Sequence, residues 1–101
     1  MAFLRAAKKD EIPPGSIREL QLEGKTVAVA NVDGKLYAIN NTCLHRGGPL
    51  GQGELEGKVV TCPWHGWQYD VTSGKVTLNP AVGVDTYPVE IHGEDIYVDI
   101  G

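Results

Sequence analysis

Short apolar stretches, broken at close intervals by turn residues, recur along the whole chain and predict many short antiparallel strands in a sandwich or barrel. Lys25–Val32 reads as a strand, Asp33-Gly34 is a dipeptide that accepts positive φ in a tight hairpin turn, and Lys35–Asn40 returns as the partner strand. Towards the end, Tyr87, Val89 and Ile91 alternate with Thr86, Pro88 and Glu90. Gly93-Glu94-Asp95 then turns the chain into Ile96, Val98 and Ile100, alternating with Tyr97 and Asp99, which predicts a second, half-buried hairpin. Between the hairpins, residues 43–57 form a Gly-rich loop, 58–61 a short strand and 62–67 a second loop. Thr72-Ser73-Gly74 joins Gln68-Tyr69-Asp70 to Lys75-Val76. One helical turn is expected near Asp10-Glu11-Ile12, where Pro13-Pro14-Gly15 stops its extension.

The 101 residues suit one domain, 1–101, long enough to bury about 65% of its unfolded surface. With 42% hydrophobic and 22% charged residues, 13 Gly and 6 Pro, the chain is globular and turn-rich, far from the composition of disordered proteins. The expected class is therefore all-β. Nine Lys and Arg against thirteen Asp and Glu leave a net charge of −4, and the only basic pair is Lys8-Lys9. Nucleic-acid binding is excluded on that ground, and basic proteins or small molecules are the expected partners. No apolar run has the length of a signal peptide or a membrane span, so the chain reads as cytoplasmic, without membrane attachment. It is expected to be a monomer.

The candidate chemistry sits in the two central loops. Cys43-Leu44-His45 and Cys62-Pro63-Trp64-His65 are separated by sixteen intervening residues, and each supplies one thiol and one imidazole. If the strand at 58–61 anchors the second loop beside the first, all four side chains converge as metal coordination requires. Two alternatives remain at this point: a buried thiol pair or disulfide, and a structural zinc module. Against zinc, its sites usually place two Cys in a C-x2-4-C knuckle, and C-x-H makes a tighter loop.

Cys43-Leu44-His45-Arg46-Gly47 and Cys62-Pro63-Trp64-His65-Gly66 resemble the two motifs of the Rieske iron–sulfur domain, whose 2Fe-2S cluster has one iron on two Cys and the other on two His. The resemblance implies a Rieske-type β-sandwich or barrel with a cluster-binding subdomain over about 41–82. It implies Cys43 and Cys62 on one iron, and His45 and His65 on the other. Asn79-Pro80-Ala81-Val82-Gly83 resembles the family's third, proline-containing loop, which places Pro80 over the cluster. Two ferric ions, two sulfides and two thiolates sum to zero charge, whereas four thiolates would leave a dianion, so imidazole ligation raises the potential.

Quinol-oxidising Rieske proteins carry an extra Cys in each loop, paired as a disulfide; the corresponding positions here are Gly48 and Trp64. Where those proteins place a Ser and a Tyr as hydrogen-bond donors to the cluster, this chain has Trp67 and Tyr69. One donor of the two is lost, and a potential toward the roughly −150 mV end of the Rieske range is expected. Tyr69 is expected to donate to a cluster sulfur or to the Cys62 sulfur, while Trp64 and Trp67 shield the cluster or pack as ordinary core residues. Arg46 is either a docking charge or the partner of a nearby carboxylate, and His92 is a solvated hairpin residue. With three His in all, only His92 is left to build the mononuclear iron site of an oxygenase, and Gly51-Gln52-Gly53-Glu54-Leu55-Glu56-Gly57 departs from a nucleotide fingerprint.

The resemblance thus implies a one-electron carrier between a flavin-containing reductase and a terminal oxygenase, like the ferredoxins of ring-hydroxylating dioxygenase systems. The competing reading within the family is a small subunit of an assimilatory nitrite reductase.

Overall fold

The computed structural model describes residues 3–44, 47–64 and 66–101. Eleven strands are seen among them: β1 (Phe3–Lys8), β2 (Ile17–Leu22), β3 (Lys25–Val32), β4 (Lys35–Asn40), β5 (Glu54–Glu56), β6 (Val59–Thr61), β7 (Gln68–Asp70), β8 (Lys75–Val76), β9 (Thr86–Tyr87), β10 (Val89–His92) and β11 (Asp95–Asp99). Single 3-10 turns at Lys9–Glu11 and Leu50–Gln52 are the only helical pieces among the described residues. The strands form three antiparallel sheets, ordered β1-β11-β10, β2-β3-β4-β9 and β5-β6-β7-β8. No helix of the described residues is long and apolar enough to cross a membrane.

Period-two alternation along β3 and β4 explains how the sheets stack. Val27, Val29, Leu36 and Ala38 point to one face of the central sheet and meet Ala7, Ile96 and Val98 of the terminal sheet. Ala28, Ala30 and Ile39 point to the other and meet Leu50, Val60, Tyr69, Val71, Val76 and both cysteines. The central sheet is thus covered on both sides, and along β3 the valines face the terminal sheet and the alanines the loops. Small residues on that second face let the cysteine-bearing loops approach the sheet closely.

The Asp33-Gly34 hairpin forms as expected, with φ of 53° and 95° at its two turn residues. The C-terminal region departs from expectation in one respect. Residues 86–91 do not make one strand: Thr86 and Tyr87 pair with Ile39 and Ala38 in the central sheet, whereas Val89 to His92 pair with β11 in the terminal sheet. Pro88, which has no N–H to give a ladder, stands at the switch. The final turn is also shorter than expected, since Asp95 already pairs with His92. Strands β1, β2 and β5 were not expected from the pattern. The first two carry charged or polar residues between their apolar ones, and β5 has three residues of which two are Glu. At the expected helical turn there is a single turn, whose Glu11 carboxylate accepts the Lys8 N–H at 2.8 Å.

Candidate metal centre

The two cysteine loops are built alike. The Cys43 N–H donates to the Gly48 carbonyl at 2.8 Å, and the Cys62 N–H donates to the Trp67 carbonyl at 2.7 Å, a reach of five residues in each loop. Four residues after each cysteine stands a glycine of positive φ, Gly47 at 72° and Gly66 at 76°. A left-handed residue there turns the chain back on its own cysteine, a geometry that other residues adopt only with strain. The C-x3-G spacing shared by the two loops is therefore a conformational signature.

The loops are anchored from below. The first is footed on Asn41, a buried residue whose carbonyl accepts the Leu50 N–H and whose side-chain oxygen accepts the Gly51 N–H at 2.7 Å. The Asn41 amide donates to Glu19 at 2.8 Å, and the other Glu19 oxygen accepts from the Gln52 amide at 2.7 Å. Strand β2 thereby grips both ends of the loop's base. Asn41 and Glu19 escaped the sequence reading because they are 22 residues apart and neither belongs to a motif. The second loop joins β6 to β7, and Leu78, Asn79 and Val82 share a cavity with Gly66 and Trp67. Gly83 and Val84 line a groove with Cys43, Leu44 and Gly47, so the loop at 77–85 lies beside both cysteine loops. Pro80 itself is exposed.

Cys43 and Cys62 are both 1% exposed and unbridged. They come together: burial pushes the Cys62 thiol up, and the adjoining Cys43 thiol pushes the same way, against the Trp64 backbone, which lowers it. The Tyr69 hydroxyl lies 3.2 Å from the Cys43 sulfur and accepts the Leu44 N–H at 2.9 Å. The Leu44 N–H thus takes one acceptor position of the phenol oxygen and leaves its proton free to go to the sulfur, which it must do once Cys43 is a thiolate with no proton of its own. Burial, foremost, and the Cys43 sulfur keep this phenol protonated well above its ordinary range, although the Leu44 amide opposes them. The tyrosine thus faces the Cys43 sulfur, which corrects the alternative that it serves Cys62.

Trp67 packs against the apolar cluster under the loops, while the Trp64 side chain is 49% exposed. His45, Arg46 and His65 lie outside the described residues. His92 ends β10, exposed, with Nε2 2.9 Å from Glu90 Oε1.

Two buried thiols side by side, with hydrogen-bond donors aimed at them, form a donor set suited to thiolates on a single metal ion. The fold and this pair define an iron–sulfur module. The model of the Rieske [2Fe-2S] domain matches residues 2–88, so the chain belongs to that family, and its cofactor is one 2Fe-2S cluster. The ferredoxin component of the naphthalene 1,2-dioxygenase system of Pseudomonas aeruginosa is 36% identical over 89% of this chain and 88% of its own length. The ferredoxin of carbazole 1,9a-dioxygenase from Nocardioides aromaticivorans IC177 superposes with a TM-score of 0.88 at 30% identity, covering 97% of each chain. A complex of reduced oxygenase and oxidised ferredoxin in carbazole 1,9a-dioxygenase contains a chain matching at TM-score 0.87 and 32% identity, over 95% of this chain and 91% of that one.

Proposed function

We propose that this protein is a soluble cytoplasmic one-electron carrier that takes electrons from a flavin-containing reductase and delivers them to a terminal oxygenase. Cys43 and Cys62 hold one iron of the cluster, and His45 and His65 hold the other. The observation that carries the ligand assignment is the pair of buried, adjoining, unbridged thiols on two loops of the same construction. When bound, the cluster supplies a reversible one-electron couple. The residues around it set its environment: the Tyr69 hydroxyl would donate to the Cys43 thiolate, Trp67 and Leu50 close the apolar floor, and the exposed Leu44 and Trp64 place apolar surface on the cysteine loops. The partner classes rest on the ferredoxin relatives and on the solved ferredoxin–oxygenase complex.

Voltammetry of the purified holoprotein across pH tests the reading. The expected result is a one-electron wave of low potential that is flat near neutrality and falls only at alkaline pH, the mark of imidazole ligands whose outer N–H groups titrate more easily on ferric iron. In His65→Ala the wave and the cluster spectrum should be lost or altered. An unchanged spectrum in that variant, or zinc in place of iron in the native protein, overturns it.

A further inference from the structure

At position 48 the first cysteine loop comes close against the second. A β-carbon there would stand 2.6 Å from the Cys62 sulfur and 3.1 Å from both Cβ and Cγ of Trp64. The sulfur has nowhere to go, since Cys62 is 1% exposed and its N–H is tied to the Trp67 carbonyl. Gly48 cannot retreat either, because its carbonyl holds the Cys43 N–H and so closes the first loop. The backbone of one loop therefore touches the cysteine sulfur of the other, across a gap that only hydrogen fills.

The same numbers leave no room for a side chain between the loops. A β-carbon at position 48 would lie 3.1 Å from that of Trp64, nearer than the about 3.5–4.5 Å between the β-carbons of paired cysteines. The Cβ and Cγ of Trp64 stand against the space that a side chain at position 48 would enter, while about half of the residue's surface faces solvent. Its base is held on the opposite loop and its outer half is free.

We propose that Gly48 and Trp64 form a non-covalent clasp between the two loops that positions the Cys62 sulfur, with Gly48 acting as a positioning residue through its lack of a side chain. The proposal rests on the assignment of Cys62 as a ligand. Because the clasp is made by packing, it is independent of thiol reductants.

The test is iron release from the holoprotein to a competing chelator, read with the visible circular dichroism and the midpoint potential of the cluster. Gly48→Ala should lose iron roughly 10-fold faster than the parent, the size of effect usual when a group supporting a metal ligand is changed, and should show an altered cluster spectrum and a shifted potential. Trp64→Ala, which keeps Cβ but removes Cγ, should release iron faster by a smaller factor, and Trp64→Phe should restore the parent's rate. Addition of a dithiol reductant should leave the parent's release rate unchanged. Parental release, spectrum and potential in Gly48→Ala overturn the clasp. If Gly48→Ala takes up no cluster, the tryptophan pair decides: a parental rate in Trp64→Ala overturns the clasp, and a faster rate restored by Trp64→Phe upholds it. Cys62→Ser separates the two readings, because an intact cluster in that variant defeats the ligand assignment itself.

Discussion

The two faces of the central sheet solve different problems. Toward the terminal sheet, Val27, Val29, Leu36, Ile96 and Val98 form an aliphatic core that needs nothing but close packing. Toward the loops, β3 offers Ala28 and Ala30, and the space that these leave is taken by Leu50, Tyr69 and two thiols. Polar atoms on that face require partners: the Tyr69 hydroxyl has Leu44 and Cys43, and both thiols are 1% exposed. Side chains are also excluded there by the backbone. Besides Gly48, a β-carbon at Gly51 would meet Glu19 at 2.5 Å, and one at Gly53 would run into the Thr61 carbonyl. One face gives the domain its stability, and the other holds its loops in a fixed place at some cost in packing.

The sharpest way to break this comparison is to change one residue on each face. Ile96→Ala removes a fully buried side chain from the aliphatic core and should cost about 2–5 kcal/mol in thermal or denaturant unfolding. The cluster potential of the protein that remains folded should not move. Ala28→Val adds volume to the opposite face and should cost about 1–3 kcal/mol, and here the loops must yield, so cluster retention should fall as well. A variant of Ile96 that shifts the potential, or an Ala28 variant that only lowers stability, would show that the two faces are not separate.

Tyr69→Phe probes the polar face alone. It leaves the Leu44 N–H without its acceptor and the Cys43 sulfur without its donor. A hydrogen bond to sulfur favours the more negative, reduced cluster, so the potential should fall by about 20–60 mV, the one-electron equivalent of a bond worth about 0.5–1.5 kcal/mol. The alkaline limb of stability should change too. Because the folded phenol titrates above its unfolded value of 10.0, its contribution is complete below pH 10 and is lost as pH rises toward the folded value. Tyr69→Phe should therefore lose less stability between pH 10 and 11 than the parent does. Equal slopes would mean that the hydroxyl is not held as described.

How much of this was legible in the sequence follows the same division. The hairpin β3–β4 and the cysteine motifs were readable because their signals are local: an Asp33-Gly34 turn between alternating strands, and thiols at fixed spacing from imidazoles. The switch at Pro88 was also written locally, yet alternation across residues 86–91 masked it, since period two continues through a change of sheet. What could not be read was long-range. Glu19 grips Asn41 and Gln52 from a strand that shows no motif, and the demand for glycine at 48 arises only when a second loop, closed by its own hydrogen bond, brings Cys62 against it. Tyr69 was named from the resemblance, but its place beside the Cys43 sulfur depends on a contact across 26 residues, with the Leu44 amide on the same oxygen.

The smallest expected effect concerns the strand that carries Tyr69. Asp70 closes the turn after β7: its Oδ1 accepts the Thr72 hydroxyl at 2.6 Å and the Thr72 N–H at 2.9 Å, and its Oδ2 lies 3.4 Å from the Lys58 ammonium. Burial alone would raise this carboxyl, but the two Thr72 hydrogen bonds and Lys58 outweigh it and hold it below its ordinary value of 3.8. A depressed carboxyl stabilises the fold above its unfolded value and loses that contribution as pH falls through the folded one, so the turn should loosen only below about pH 4. Asp70→Asn should flatten the acid limb of the stability curve while costing no more than about 1 kcal/mol near neutrality. The carboxylate's partners are Thr72 and Lys58 and neither thiol, and the potential should stay at the parent's value. If it moves with Asp70, the β7–β8 hairpin transmits strain to Tyr69, and the loop face extends further than the alanine stripe that defines it.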